Sequence, residues 1–466
     1  MIQLYWKNAT TKVLEPAHGV SEENLTDLAP TLTAAHTAVC EQIVSGRLGY
    51  ATLPCRRDYR DDVMALTERY RPNTTDFVVL GIGGSALGNT ALHQALNPLT
   101  HNIVSDRKSG GVRLWVLDNV DPDLVGATLK LLSRRTKTTL FNVISKSGET
   151  AETAAQFMVI RRMLQERLGD DYARRIVATT DAEKGTLHDI ARQEGYATLT
   201  VPGDVGGRFS VLSPVGLFSA AMTGINIDGL LEGAAEMKGR VEYADWRINP
   251  ACMLAAVKYL CMTAKGKPLH VMMPYSNRLL GLADWYRQLW AESLGKRLDR
   301  SGAEAFVGPT PVKALGATDQ HSQVQLYREG PNDKLIVFLE VQNHPRDVRI
   351  PEAFPDVPGL TYLSKSKFSK LLNAEKLATE YALAESGRPS VTIRFDAITP
   401  QTVGQFIYLY EFTTSLMGEL LNIDAYDQPA VELGKKATFA LMGRPGHEDL
   451  AAEMARFKRI DKKYLA

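Results

Sequence analysis

"FNVISKSGET", Phe141 to Thr150, runs a short apolar strand directly into residues that are small or hydrogen-bonding, with one lysine among them. A strand that closes in Ser145-Lys146-Ser147-Gly148 before a helix gathers hydroxyls, backbone N–H groups and a positive charge at one point. Such a cluster is a ready seat for phosphate, because the first N–H groups of a helix are unpaired and its dipole favours an anion. The form recurs along the chain. "DFVVLGIGGSALG", "VRLWVLDNVDPD" and "RRIVATTD" each set a β-rich apolar run before a polar turn and a stretch that can be helical. Strand, turn and helix in regular alternation predict a parallel sheet with helices on both faces.

A second alternating segment starts near "KPLHVMMPYS" and includes "KLIVFLEVQ" (Lys334 to Gln342) and "VTIRF" (Val391 to Phe395). A long amphipathic stretch, "QTVGQFIYLYEFTTSLMGELLN", follows it. Ahead of both segments, residues 1 to 70 read as helices with polar connections, as in "RRDYRDDVMALTERY". The expected architecture is α/β: two tandem doubly wound units with mainly parallel sheets, wrapped by helical terminal segments. The boundaries read as 1–70 for the N-terminal segment, 71–230 and 231–425 for the two units, and 426–466 for the C-terminal segment. No low-complexity linker separates the units, so they should pack as one body.

The bulk numbers narrow the function. A chain of 466 residues with 44% hydrophobic and 23% charged residues is a soluble globular protein of more than one unit. Lys and Arg total 54 against 53 Asp and Glu, so no global field draws in nucleic acid or an anionic membrane. The opening "MIQLYWKNAT" has no apolar leader core, and no run of eighteen apolar residues occurs, which points to a cytoplasmic protein. Cys40, Cys55, Cys252 and Cys261 stand far apart, and the nine histidines form no H-x-x-x-H pair. Free thiols and metal-free, cofactor-free chemistry are the expectation.

Several clusters carry candidate chemistry. "GIGGSALG", Gly81 to Gly88, follows a strand and loosely matches a dinucleotide fingerprint, but that fingerprint wants an acid roughly 20 residues on, and Asp118 lies well beyond. Ser85 instead brings a hydroxyl to the helix start, which suits a phosphate monoester; a plain N-capped turn is the alternative. In "DVGGRFSVLSP" two glycines let the backbone aim Arg208 inward, although an exposed arginine is the commoner fate. In "DWYRQLWAESLGKR" Gln288 and Glu292 share one helix face; Glu292 is either a partly desolvated base or an i,i+4 partner of Lys296. His321 in "ATDQHSQVQ" and Lys435 in "YDQPAVELGKK" are, on chemistry alone, as readily solvated as functional.

"GIGGSALG", "ISKSGET", "GGRFSVLSPVGL", "QLWAESLGK", "ATDQHSQVQ" and "YDQPAVELGKK", in this order, closely resemble the motifs of the glucose-6-phosphate isomerase (phosphoglucose isomerase) family, over residues 75 to 440. The resemblance implies two sugar-isomerase (SIS) domains and a homodimer that interconverts glucose 6-phosphate and fructose 6-phosphate in glycolysis and gluconeogenesis. It implies that Ser85, Ser145, Ser147 and Thr150 hold the phosphate with Lys146 in the same loop, and that Gln288 and Gln428 touch the sugar. Glu292 would move the proton between C2 and C1, Arg208 would stabilise the enediolate, and His321 and Lys435 would open the ring, His321 being supplied by the neighbouring subunit. Two departures stand out. Animal members read "SKTFTT" where this chain has "SKSGET", so Glu149 brings negative charge beside the phosphate and is expected to turn away or pair with a base. Pro429-Ala430 stands where those members have Trp-Gly, leaving Gln428 and Lys435 in register.

Overall fold

The computed structural model describes residues 1–105, 111–457 and 460–466. The chain opens with a strand, β1 (Ile2–Tyr5). The first unit is built on β2 (Asp76–Leu80), β3 (Arg113–Leu117), β4 (Thr139–Ile144), β5 (Ile176–Thr180) and β6 (Ala197–Thr200). These pair in parallel in the order β3-β2-β4-β5-β6. Every residue of β2, β4 and β5 is buried, as a parallel sheet covered on both faces requires. Phe77 and Val79 face a core that includes Leu92 and Phe218, while Val78 and Leu80 face Phe157 and Ile160 on the other side. Phe77 meets Phe218 edge-on at 5.1 Å, a geometry the aromatic quadrupole favours.

The second unit repeats the winding. Its strands β7 (Leu269–Pro274), β10 (Thr310–Lys313), β11 (Lys334–Val341) and β12 (Ser390–Phe395) are parallel in the order β10-β7-β11-β12. A hairpin-like pair, β8 (Lys296–Leu298) and β9 (Glu304–Val307), forms a separate two-stranded sheet. In each unit the first strand in sequence is central, with the second on one side and the third on the other. The order therefore reverses at β2/β4 and at β7/β11, and such switch points open the crevice in which doubly wound sheets bind ligands.

The N-terminal segment differs from the expectation of helices alone. Helices Glu22–Val44 and Arg57–Tyr70 form, but β1 adds antiparallel to the outer edge of β12, Ile2 opposite Phe395. Ile2 and Leu4 turn toward the protein while Gln3 and Tyr5 stay exposed, and four residues are too few for that alternation to be read as a strand.

The long stretch expected to be amphipathic is the helix Pro400–Leu420, and it is buried on nearly every side. It lies against helix Ile227–Val241 so closely that a Cβ on Gly404 would stand 2.0 Å from the Leu230 carbonyl oxygen, and one on Gly233 2.0 Å from that of Gln401. Glycine at both positions permits the crossing. A second buried device fixes helix Leu280–Leu294: Lys258, fully buried on helix Pro250–Thr263, donates to Tyr286 Oη at 3.2 Å and lies 4.4 Å above the Trp290 ring. Burial pushes this ammonium down to about 7. With Tyr286 and Trp290 held inward, Gln288 and Glu292 stay on the partly exposed face.

The crossing yields a stability prediction. Gly404→Val should lower the free energy of unfolding by about 3 kcal/mol, because backbone on the facing helix cannot give way. An unchanged midpoint in chemical denaturation would contradict it.

Candidate active site

The turn after β2 contains the helical turn Gly83–Ser85, and its glycines are required by what lies against them. Gly83 has φ +56°, and a Cβ there would stand 2.9 Å from Gln288 Nε2. A Cβ on Gly84 would fall 2.1 Å from the Gly207 carbonyl oxygen and 2.8 Å from Arg208 N. Two glycine turns far apart in sequence thus lie backbone to backbone, with the Gln288 side chain beside them.

The second of these turns, Gly207–Phe209, aims Arg208 into the interface between the units. The side chain is 2% exposed. Its Nε donates to Ser293 Oγ at 2.7 Å, and its Nη1 to Glu292 Oε1 at 3.2 Å and to Gln428 Oε1 at 2.9 Å. Its Nη2 donates to the carbonyls of Ala425 at 2.6 Å and Asp427 at 3.2 Å. Burial pushes the guanidinium below its ordinary pKa, and the nearby Glu292 and Asp427 carboxylates oppose that shift.

Glu292 is 28% exposed at its side chain, and its second oxygen accepts from Gln288 Nε2 at 3.0 Å. The i,i+4 alternative is not what forms: Lys296 Nζ donates to the Glu292 backbone carbonyl at 3.1 Å and to that of Asp427 at 2.7 Å, and it pairs with the Asp427 carboxylate at 3.1 Å. The Glu292 carboxylate is left between Arg208 and Gln288 and stays partly exposed. A carboxylate there can take a proton from carbon while the guanidinium faces the charge that develops.

The polar loop after β4 lies beside the turn after β2, since β2 and β4 are neighbours with Leu80 opposite Val143. Ser145 is buried and accepts from Gly148 N at 3.0 Å; Ser147 Oγ accepts from Glu149 N at 3.2 Å. Gly148, at φ +77°, approaches Leu187, where a Cβ would stand 2.2 Å from its nitrogen. Lys146 Nζ reaches the Gly203 carbonyl at 2.7 Å. Thr150 is the N-cap of helix Ala151–Leu168, yet its side chain caps no N–H of that helix. The helix start is left uncapped beside the Ser145 and Thr150 hydroxyls, which lie 3.5 Å apart, and unpaired N–H groups there can receive an anion. Glu149 pairs with a base: its Oε2 accepts from Arg444 Nη2 at 2.8 Å.

His321 and Lys435 are not drawn into this cluster. His321 is exposed at the end of the short turn Thr318–His321, and among the described residues no hydrogen bond joins it to Arg208, Glu292, Gln288 or Gln428. Its neighbours are tied down: Asp319 Oδ2 accepts from Leu315 N at 2.7 Å, and Tyr275 Oη donates to Gln320 Oε1 at 3.0 Å. Lys435 lies on the exposed helix Val431–Leu441, 54% exposed, with Nζ 2.8 Å from Glu432 Oε1. Sequence reasoning missed Ser293, Tyr275 and the Ala425 and Asp427 carbonyls, and it offered Lys296 the Glu292 carboxylate where the structure gives it Asp427. Ser293 adjoins Glu292 in the motif, but backbone acceptors leave no trace in side-chain identity.

Fold and site together define a doubly wound α/β protein in which a buried guanidinium of the first unit meets a carboxylate of the second, beside the glycine turn that follows the first unit's central strand. A sequence profile of the Phosphoglucose isomerase family matches residues 67–452. The glucose-6-phosphate isomerase of Carboxydothermus hydrogenoformans is 46% identical over 441 residues, 94% of each chain. That of Rubrobacter xylanophilus is 45% identical over 437 residues, 93% of this chain and 97% of the relative. Among solved structures, a Thermus thermophilus chain described as a hypothetical protein aligns with a TM-score of 0.82 at 37% identity, covering 95% of this chain and 100% of its own. A Chlamydia trachomatis glucose-6-phosphate isomerase aligns at 0.73 with 24% identity, covering 86% and 77%, and speaks for the fold alone. The chain belongs to the phosphoglucose isomerase family. No helix among the described residues is long and apolar enough to cross a membrane.

Arg208→Lys should keep the charge but lose the fork that holds Ser293, Glu292, Gln428 and two carbonyls together. Unfolding free energy should fall by about 3 kcal/mol, and amide exchange at residues 424–428 should accelerate. Parent-like exchange across that segment would show that Arg208 does not fasten it.

Proposed function

We infer that the chain interconverts glucose 6-phosphate and fructose 6-phosphate by opening the sugar ring and moving a proton between C2 and C1 through an enediolate. The observation that carries this reading is the Glu292 carboxylate held between Arg208 Nη1 and Gln288 Nε2, beside the two glycine turns. A proton α to a carbonyl becomes acidic only in the open sugar, so a base alone is insufficient; the negative charge that forms on oxygen must meet a fixed cation. In this reading Glu292 is the base and Arg208 the stabilising cation. Gln288 and Gln428 orient hydroxyls, and Ser85, Ser145, Lys146, Ser147 and Thr150 hold the phosphate. A protein that merely bound a sugar phosphate would need the anchor but not a carboxylate paired with a desolvated guanidinium.

Ring opening is assigned to His321 and Lys435. His321 is exposed and makes no hydrogen bond to Glu292 among the described residues, which supports a homodimer in which each site takes His321 of the partner subunit. The proposed division of labour follows the units: residues 71–230 carry the anchor, 231–425 the base and the histidine, and 426–466 the lysine, with 1–70 as the N-terminal wrapping segment. A cytoplasmic location fits a glycolytic and gluconeogenic role.

A coupled assay on fructose 6-phosphate measures the activity, and hybrid dimers test how the site is shared. Glu292→Gln and His321→Ala homodimers should each be nearly inactive. Unfolding and refolding the two together should restore roughly a quarter of parental turnover per site in a statistical mixture, since half the dimers are hybrids and one of their two sites regains both residues. Mixtures that contain hybrids by native mass spectrometry yet recover no turnover would overturn the shared site.

A further inference from the structure

The acid in "SKSGET" has no role in the chemistry above, and its position is unfavourable for that chemistry. Glu149 lies between Ser147 and Thr150, and it is half exposed. A phosphate monoester carries about 1.5 to 2 negative charges near neutral pH, so an ionised carboxylate in its cradle repels the ligand. Lys146, the basic residue of the loop, is engaged with the Gly203 carbonyl.

The countercharge comes from the far end of the chain. Arg444 follows helix Val431–Leu441 through Gly443, which turns the chain at φ +75°, and Arg444 N donates to the Phe439 carbonyl at 2.9 Å. The guanidinium lies 4.5 Å over the Phe439 ring and donates to Glu149 Oε2 at 2.8 Å. Arg444 and Thr186 lower the Glu149 pKa, Arg444 contributing most, so the carboxylate is ionised at neutral pH. Helices Val431–Leu441 and Glu448–Phe457 bury only Ala440 between them, which makes this pair a notable attachment of the C-terminal arm to the first unit. Exposed ion pairs ordinarily add little to stability. What matters here is the sign of the charge beside an incoming anion.

We propose that Arg444 is a positioning residue of the phosphate site: it cancels the Glu149 charge next to the anchoring loop, so that the C-terminal arm becomes part of the structure that receives the dianion of a phosphate monoester. The proposal rests on the reading of residues 145–150 as the anchor. It differs from a mechanical strap in one respect. Removing Glu149 should be harmless if charge is the issue, and as damaging as removing Arg444 if tethering is.

The test uses the full-length protein as Arg444→Met, Glu149→Gln and the double variant, with Ser145→Ala as a probe of the anchor. The readouts are the inhibition constant of inorganic phosphate and the KM and kcat for fructose 6-phosphate. Arg444→Met should raise the inhibition constant and KM about tenfold while kcat changes less than twofold. Adding Glu149→Gln to it should bring both binding constants back to within about twofold of Glu149→Gln alone. Arg444→Met without effect, a double variant as weak as Arg444→Met, or a Glu149→Gln variant equally impaired would overturn the proposal. Ser145→Ala separates this failure from that of the underlying reading. If it too leaves phosphate inhibition unchanged, the anchor lies elsewhere and both fall; if it weakens inhibition about tenfold while Arg444→Met does not, only the role of Arg444 falls.

Discussion

A guanidinium taken almost wholly out of water must be met by acceptors, and the acceptors of Arg208 come from two separate parts of the chain. Ser293 and Glu292 belong to helix Leu280–Leu294, Ala425 and Asp427 offer carbonyls, and Gln428 adds a side-chain oxygen. Arg208 itself stands on the first unit's glycine turn. A buried charge that lost this set would be left uncompensated, at several kcal/mol. The arrangement therefore does two things with one interaction: it fastens the units and the start of the C-terminal segment together, and it fixes a cation beside the Glu292 carboxylate.

The double winding supplies the geometry that this interaction needs. Each sheet reverses its order next to its first strand, and the turns after β2 and β4 open at the same edge. Glycine at positions 83 and 84 lets the turn after β2 approach Gln288 and the Gly207–Arg208 backbone to distances no side chain would permit. Behind them, the glycine-mediated crossing of helices Pro400–Leu420 and Ile227–Val241 and the Lys258 cage under Trp290 hold the second unit rigid. The pieces at the rim, His321 and the helix bearing Lys435, are exposed.

The sequence was readable where periodicity and glycine carried the signal. The central strands and their turns stand where the apolar runs end in small polar residues, and four residues singled out from separate motifs, Arg208, Glu292, Gln288 and Gln428, are joined by hydrogen bonds. It was unreadable where tertiary pairing decides. The four residues of β1 become a strand because β12 offers an open edge. Residues 400–420 look amphipathic but are buried, since threonine and serine can satisfy their hydroxyls on helix carbonyls, as Thr413, Thr414 and Ser415 do. The partner of Glu149 lies in the C-terminal arm, beyond the reach of any local pattern.

That Glu292 carries a proton between C2 and C1 while Arg208 bears the charge is open to direct measurement. Fructose 6-phosphate turned over in heavy water should give glucose 6-phosphate with deuterium at C2, seen by proton NMR as loss of the C2 signal, and Glu292→Gln should abolish turnover and labelling together. Turnover by Glu292→Gln within tenfold of the parent, with C2 labelled as in the parent, would show that another group moves the proton and would contradict the assignment.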